Sequence, residues 1–233
     1  MNDAINTRGV ERLFPRGQVR GEIITSIDLD LDLESQKLTP YERKRANTLP
    51  NPQKWDYVRG RICSSKALYN LARIKDYSLL SDLDGVPIWP KGIVGSLSHT
   101  ESVCGAVVAY SNSVLSMGFD IEELERISEE MFEEICTENE LLKLKEQQFF
   151  QSKRNVSILF SAKEAFYKCY YPLYRNWLDF KDVDIELGSY KIMIKSCKGL
   201  RAHQCSLFEG RYTIVEQRVY ASVYISQTDE LDL

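Results

Sequence analysis

The sequence is poor in histidine, lacks closely spaced cysteine pairs and contains no long hydrophobic run. Only two of its 233 residues are histidine, so a zinc site built from several histidines is not expected. Its six cysteines form no Cys-x-x-Cys pair, which disfavours a disulfide framework and favours reduced thiols in a cytoplasmic protein. Apolar runs such as Val103–Tyr110 are much shorter than the roughly 18 to 20 residues that cross a bilayer. The first residues have no signal-peptide pattern, so we expect no membrane association.

The net charge of −4 results from two segments of opposite charge. Residues 37–75 contain ten basic and two acidic side chains, whereas residues 120–146 contain eleven acidic and three basic ones. A basic segment in an acidic chain suggests a local anionic partner, although both segments are also compatible with solvated helix faces. The acidic balance of the whole chain argues against a nucleic-acid-binding protein, because such domains are usually basic throughout.

Hydrophobic periodicity predicts helices and strands that do not alternate strictly, which favours an α+β fold. A short sequence at 64–69 resembles one at 161–167, and an apolar strand follows each copy. By itself this repeat is weak. The predicted strands are 23–33, 92–97, 103–110, 114–121, 183–187, 191–195 and 212–225, and the predicted helices are a short one from Pro40, then 55–74, 129–147 and 158–171, the last closed by Pro172.

Two segments place ionisable side chains where they can act together. Asp120 and Glu122 are two residues apart at the end of a predicted strand, so both lie on one face. Glu164 and Lys168 are four residues apart and share one face of a predicted helix. Three carboxylates in one cleft repel each other unless a proton or a hard cation lies between them, and such oxygen ligands are typical of magnesium. Alone, each segment is more typical of a solvated strand end or a surface ion pair.

A third segment, residues 92–100, is a glycine-bounded strand that ends in Ser98, His99 and Thr100. Hydroxyls, backbone N–H groups and an imidazole at one corner suit a phosphate monoester, because all of them donate hydrogen bonds to phosphate oxygens. The spacing is neither that of a Walker loop nor that of a nucleophile elbow. Taken alone, His99 is more typical of a structural histidine.

The three segments together resemble the 4′-phosphopantetheinyl transferases of the monomeric surfactin- and enterobactin-synthetase type. That family has a Gly-Ser-x-Ser/Thr-His corner, then Gly-Ile/Val-Asp-x-Glu, then Trp/Phe-x-x-Lys-Glu-Ala-x-x-Lys. In the same order, this chain has Gly95-Ser96-Leu97-Ser98-His99, Gly118-Phe119-Asp120-Ile121-Glu122 and Phe160-Ser161-Ala162-Lys163-Glu164-Ala165-Phe166-Tyr167-Lys168. The resemblance extends from about Thr39 to about Ile185 and is specific in combination.

The resemblance implies an α+β fold of two similar α/β halves, 1–113 and 114–233, related by a pseudo-twofold axis with the active site between them. It implies a cytoplasmic enzyme that moves 4′-phosphopantetheine from coenzyme A to a serine of an apo acyl, peptidyl or aryl carrier protein and releases 3′,5′-ADP. It also implies a monomer that uses Mg²⁺, with coenzyme A as co-substrate and no nucleic-acid or membrane partner.

Carried over position by position, the family pattern assigns roles to the second and third motifs. Asp120, Glu122 and Glu164 would hold magnesium on the pyrophosphate. Glu164 would also be the general base for the incoming serine, either directly or through a metal-bound water. Lys168 would bind phosphate oxygens and stabilise the leaving diphosphate, and Lys163 would add positive charge nearby. Catalysis of this kind depends on positioning and charge neutralisation.

The family pattern also assigns coenzyme A contacts to the N-terminal half. Ser98 and His99 would hold the 3′-phosphate, with Arg61 and Lys54 contributing from the basic helix. Residues 81–84 lack the basic residue that some relatives have there, which leaves a phosphate contact from this loop in doubt. The alternative hypothesis is a non-catalytic module that binds an acidic carrier protein or nucleic acid through residues 37–75, because aromatic and basic residues interleave there.

Overall fold

The computed structural model describes residues 12–14, 19–25, 30–145 and 149–227. Its contacts divide the chain into two compact units, Met1–Ser113 (unit 1) and Val114–Leu233 (unit 2). Each unit contains an antiparallel sheet with a long helix packed on it, so the predicted α+β class is confirmed. None of the described helices combines the length and the apolar composition that a bilayer span requires.

Unit 1 has a three-stranded sheet in which the last strand is central. Its elements are β1 (Val19–Thr25), α1 (Leu31–Ser35), α2 (Pro40–Ala46), α3 (Gln53–Ala72), β2 (Leu80–Ser81), β3 (Pro87–Ile88), β4 (Ile93–His99) and β5 (Val103–Tyr110). β5 pairs antiparallel with β1 on one side and β4 on the other, while β2 and β3 form a separate hairpin. α3 packs on this sheet, and α1 and α2 pack on α3.

The local sequence explains how the helices of unit 1 begin. Thr39 caps α2: its hydroxyl accepts the Glu42 N–H, the Glu42 carboxylate accepts the Thr39 N–H, and Pro40 occupies the first turn. This is the predicted start of the helix, and its cap satisfies N–H groups that would otherwise lack partners. The buried face of α3 includes Val58 and Ile62, and it packs on the sheet.

Unit 2 has a five-stranded antiparallel sheet in the order β6-β10-β9-β8-β7. Its elements are β6 (Val114–Glu123), α4 (Phe132–Ile135), α5 (Glu138–Lys145), α6 (Phe149–Tyr174), β7 (Val183–Leu187), β8 (Lys191–Cys197), α7 (Ala202–Cys205), β9 (Glu209–Val215) and β10 (Arg218–Ser226), with 3₁₀ turns at Glu129–Met131 and Phe180–Asp182. α6 packs on β6 and β10, and the core lies between this helix and the sheet.

The two units share one order of elements. Unit 1 contains strand, long helix, strand and strand as β1, α3, β4 and β5, and unit 2 contains the same order as β6, α6, β9 and β10. In each unit the last of these strands pairs with the other two and packs against the long helix. The weak repeat in the sequence lies on the two long helices, α3 and α6, and on the strands β5 and β10. Unit 2 adds the β7–β8 hairpin at the free side of β9.

Several predicted elements differ from the structure in their extent. Residues 31–33 begin α1 rather than ending a strand, because Asp30 caps that helix by accepting the Leu33 N–H. The predicted helix 129–147 is broken before α5, since Cys136 is extended, and residues 146–148 lie outside the described part of the chain. The predicted strand 212–225 is a hairpin whose turn residues Glu216 and Gln217 have positive φ.

α6 is longer than predicted at both ends. It begins at Phe149 rather than at Ile158, and it continues past Pro172 to Tyr174. Proline removes one N–H donor and disturbs the helical turn that precedes it. Pro172 lies in the last turn of α6, so little of the helix follows it.

Candidate active site

The site in unit 2 depends on the close approach of β6 to α6. A Cβ atom at Gly118 of β6 would lie 1.8 Å from the Ala165 carbonyl oxygen and 2.7 Å from the Cys169 N atom. Only a residue without a side chain permits this contact between strand and helix backbones. The glycine of the second motif therefore fixes the distance at which the following carboxylates meet α6.

Asp120 lies two residues beyond Gly118 and is almost completely buried. Its Oδ2 atom accepts a hydrogen bond of 2.8 Å from the Ser161 hydroxyl, and its Oδ1 atom lies 2.7 Å from the Lys168 ammonium. Ser161, Glu164 and Lys168 follow one another at intervals of three and four residues, so they share one face of α6. The second and third motifs are therefore in direct contact, as the roles implied by the family resemblance require.

The two glutamates near Asp120 occupy environments that disfavour their charged forms. Burial raises the pKa of Glu122, and the negative charge of Asp120 raises it further, although the Glu123 N–H donates to its carboxylate at 2.8 Å. Burial also raises the pKa of Glu164; the positive charge of Lys168 opposes this effect and Asp120 adds to it. A cation near these carboxylates would stabilise their ionised forms.

The carboxylates fit a magnesium ion by their chemistry. Asp120, Glu122 and Glu164 offer only oxygen atoms, which magnesium prefers, and Asp120 repels both glutamates. Within the described residues, no three carboxylate, histidine or cysteine side chains are already gathered in a metal-binding arrangement. The Lys168 ammonium pairs with Asp120 at 2.7 Å.

An apolar pocket of about 250 Å³ lies beside Glu164. Its aromatic wall includes Tyr167 and Trp177, whose rings meet edge to face with centroids 5.5 Å apart. Trp177 is 77% exposed. The pocket is lined by Lys163, Glu164, Phe166, Tyr167, Trp177, Leu178, Asp179, Phe180 and Val183. Apolar walls with a few polar groups are typical of small-molecule sites.

Lys163 does not provide a free positive charge at this pocket. Its ammonium donates to the carbonyl oxygens of Ile135, Phe180 and Val183 at 2.8–3.0 Å, and it lies 2.7 Å from Glu140 Oε2. An ammonium has three donors, so these partners use all of them. The predicted role of Lys163 beside the phosphates is therefore corrected: it is a buried structural cation.

The predicted coenzyme A residues of unit 1 lie on α3 and β4. Arg61 is buried, and its guanidinium lies 4.2 Å from the centre of the Tyr57 ring. Its Nε atom is 4.0 Å from Glu42 Oε1 and has no hydrogen-bond partner among the described residues. A buried, unsatisfied cationic donor is costly, and an anionic ligand would satisfy it.

His99 and Ser98 end β4. Ser98 is buried, whereas His99 is exposed with its Nδ1 atom 3.8 Å from Asp56 Oδ1. Asp56 also pairs with Arg59. A Cβ atom at Gly95, the glycine of this motif, would lie 2.7 Å from the Trp89 ring, so tight packing explains that position.

The interleaved aromatic residues of α3 already have partners. The Lys54 ammonium lies 4.6 Å from the Trp55 ring centre, and Arg61 stacks on Tyr57. Both rings are half-buried against the core of unit 1. Stacking on nucleic-acid bases needs open ring faces, so these contacts do not support the alternative of a nucleic-acid-binding module.

Several residues of the site were not predicted from the sequence. Ser161 has the helical spacing that places it beside Glu164, and this signal was available. Trp177 follows the third motif in the sequence, but nothing in the sequence indicated its place at the pocket. Glu140 lies far from Lys163 in the sequence, and no motif marks Arg59. Only the structure shows that Glu140 pairs with Lys163 and Arg59 with Asp56.

Comparisons with known proteins match both units. The 4′-phosphopantetheinyl transferase N-terminal domain family matches residues 42–109, and the 4′-phosphopantetheinyl transferase superfamily matches residues 116–219. Together the two matches span most of the chain.

Curated relatives and solved structures are also similar to the chain. It is 29% identical over 178 residues to 4′-phosphopantetheinyl transferase Npt of Nocardia iowensis, covering 76% of this chain and 75% of Npt. It is 33% identical to 4′-phosphopantetheinyl transferase PptT of Mycobacterium tuberculosis, covering 56% of each chain. The crystal structure of Thermotoga maritima holo-[acyl-carrier-protein] synthase matches with a TM-score of 0.40 and 21% identity, covering 49% of this chain and 65% of that chain. By the two family matches, the chain belongs to the 4′-phosphopantetheinyl transferase superfamily of enzymes.

Proposed function

We propose that the protein transfers 4′-phosphopantetheine from coenzyme A to a serine of an apo carrier protein and releases 3′,5′-ADP. The observation that carries this proposal is the cluster of Asp120, Glu164 and Lys168 at the contact of β6 and α6. It joins a candidate base and a cation beside an apolar pocket. The carrier substrate is an acyl, peptidyl or aryl carrier protein, and the proposed type is the single-chain one that carries both units.

Glu164 is the proposed general base. Its carboxylate takes the proton of the serine hydroxyl, and the serine oxygen attacks the phosphorus that carries pantetheine. The bond between this phosphorus and the bridging oxygen breaks, and 3′,5′-ADP leaves with the bridging oxygen. Lys168 stabilises the negative charge that develops on the leaving phosphate. The apolar pocket beside Glu164 accommodates the pantetheine portion, which is attached to the reacting phosphate.

Asp120, Glu122 and Glu164 would hold Mg²⁺. When bound, this ion neutralises pyrophosphate charge and stabilises the leaving group. Lys168 has a further role when no metal ion is bound: its ammonium neutralises the negative charge of the Asp120 carboxylate.

Unit 1 is proposed to bind the phosphates of coenzyme A. The candidates are Lys54, Arg61, Ser98 and His99. The unsatisfied Nε atom of buried Arg61 supports this assignment, because a phosphate oxygen would accept its hydrogen bond. The free, buried cysteines support the proposed cytoplasmic location, and we expect a monomer.

The proposal is tested by mixing the protein with an apo carrier protein, coenzyme A and Mg²⁺ and following the intact mass of the carrier. We expect the carrier mass to increase by one phosphopantetheine group. Acyl, peptidyl and aryl carriers should be tried in parallel, each with a carrier whose acceptor serine is replaced by alanine as the control. If no carrier of any class is modified, the proposed function is wrong.

A further inference from the structure

We infer that the buried pair of Lys163 and Glu140 positions the wall of the pocket that receives coenzyme A beside Glu164. Both are positioning residues: they act through the protein groups they hold and not by contact with the reacting atoms. This inference rests on the proposed function and extends it, because it assigns the binding of the pantetheine portion of coenzyme A to the wall of this pocket.

Lys163 joins three separate segments of unit 2 through one ammonium group. Its carbonyl partners are Ile135 at the end of α4, Phe180 in the second 3₁₀ turn and Val183 at the start of β7, at distances of 2.8, 2.8 and 3.0 Å. Phe180 and Val183 also line the pocket. The ammonium therefore fixes the backbone from which part of the pocket wall projects.

Glu140 extends this connection to two further backbone groups. Its Oε2 atom accepts the Thr137 N–H at 2.8 Å and lies 2.7 Å from the Lys163 ammonium. Its Oε1 atom accepts the Ile185 N–H at 2.7 Å. The side chains of Lys163 and Glu140 are each only 1% exposed, so water does not compete for these contacts.

The position of Lys163 on α6 links the wall to the candidate base. Lys163 precedes Glu164 directly in the helix, so any shift of one backbone moves the other. The wall is further held by the Phe160 ring of α6, whose centroid is 5.3 Å from that of Phe180. One helix therefore carries both the base and the contacts that set the wall opposite it.

A contribution to stability alone does not explain why the buried ion pair of Lys163 and Glu140 occupies this position. Removing two charges from water is costly, and apolar residues of similar volume often stabilise a core equally well. Apolar residues cannot hold three carbonyl groups at fixed distances from one atom. Fixed geometry matters at an active site, because a misplacement of about 1 Å can reduce the rate about a hundredfold. The pair is therefore better explained by the geometry of the pocket than by stability.

The test compares binding of coenzyme A with binding of 3′,5′-ADP, which lacks the pantetheine portion. Lys163→Met removes the ammonium and keeps much of the side-chain volume. Lys143→Met is the matched control, because it removes a lysine from an exposed ion pair with Glu186 (2.9 Å) in the same unit. Both Kd values are measured by calorimetry, and the transfer rate is measured by carrier mass.

For Lys163→Met we expect the Kd of coenzyme A to rise about tenfold or more, while the Kd of 3′,5′-ADP changes less than about twofold. We expect kcat/KM for coenzyme A to fall about a hundredfold. Lys143→Met should match the wild type in all three measurements. Equal losses for coenzyme A and 3′,5′-ADP, or no loss for either, would overturn the inference.

Two further variants separate positioning from stability. Lys163→Met with Glu140→Gln removes both charges, so it should recover much of the thermal stability lost by Lys163→Met but not the affinity for coenzyme A. Lys163→Arg keeps the charge with a larger head group and should show an intermediate affinity. Recovery of coenzyme A binding together with stability would overturn the inference, as would failure of all three variants to fold.

The measurements distinguish failure of this inference from failure of the proposed function. A wild-type protein that binds coenzyme A but modifies no carrier refutes the proposed transfer, while the two Kd values still decide the role of the pair. A wild-type protein that does not bind coenzyme A refutes both.

Discussion

Neighbouring residues of α6 have opposite surroundings in unit 2. Successive helical residues point about 100° apart, so Glu164 faces Asp120 and Lys168 whereas Lys163 faces the protein interior. Asp120 is held from two sides by Ser161 and Lys168. The proposed chemistry therefore depends on one face of α6, and the inferred geometry of the pocket depends on the neighbouring face, which carries Lys163.

For the single residue Glu164, we expect the substitution Glu164→Gln to lower the transfer rate by about 10²- to 10⁴-fold, the usual contribution of a general base. Glutamine keeps the size of the side chain but does not take up a proton. The rate is measured by intact mass of the carrier at saturating coenzyme A. Glu129→Gln is the control, because Glu129 is exposed on the same unit and its carboxylate pairs with Lys153 at 3.2 Å. A near-normal rate for Glu164→Gln would exclude it as the base.

Among the elements, β6 and α6 are joined by their backbones at Gly118. The strand lies so close to the helix that a Cβ atom would meet the Ala165 carbonyl at 1.8 Å. A strand displaced from this position would also move Asp120 away from Ser161 and Lys168. The contact therefore matters for both stability and the site.

We expect Gly118→Ala to lower the free energy of unfolding by about 3 kcal/mol or more, because neither backbone can yield without loss of packing. Urea denaturation followed by circular dichroism measures the change. Gly188→Ala is the matched control: its Cβ atom would meet only side-chain atoms, at 3.6 and 3.7 Å, and we expect a change within about 0.5 kcal/mol. Equal stability of the two variants would contradict the assigned contact.

The sequence predicted elements whose signals are local. The start of α2 follows from Thr39, Pro40 and Glu42, whose cap is complete within four residues. Strands β4 and β5 follow from apolar runs, and the extent of α3 follows from helical periodicity within two residues at each end. These features depend on residues that are close together in the sequence, so a sequence pattern is sufficient to predict them.

Two elements of unit 2 were predicted with incorrect bounds. The start of α5 has the same local signal as that of α2, because Thr137 and Glu140 form a reciprocal cap three residues apart, and this signal was overlooked. The turn at Glu216 and Gln217 has positive φ at both residues, yet it lacks the glycine, asparagine or aspartate that usually marks such a turn. The role of Lys163 was missed because its partners lie far away in the sequence.

At the scale of the whole molecule, each unit has a hydrophobic core of its own, and the six cysteines are free and buried within them. Burial raises the pKa of Cys136, Cys169 and Cys197 to about 12. Their thiolate fraction at pH 8 is then about 10⁻⁴, and the thiolate is the reactive form.

We therefore expect the native protein to react very slowly with DTNB at pH 8. All six cysteines should react at once after unfolding in guanidinium chloride, which serves as the positive control. Burial shields the six thiols, and the raised pKa values of Cys136, Cys169 and Cys197 add to this protection, so the reactivity of these three should increase as the pH rises toward 10. Rapid reaction of the native protein at pH 8 would show that at least one thiol is accessible.

The exposed indole of Trp177 gives the molecule an optical property. The chain has three tryptophans; Trp55 and Trp89 are half-buried in unit 1, whereas Trp177 is 77% exposed at the wall of the pocket. An indole in water emits at longer wavelength than one covered by a ligand, so filling of the pocket shifts the emission of one known residue. The protein therefore contains its own fluorescent reporter of pocket occupancy, placed in the same pocket lining as the proposed base Glu164.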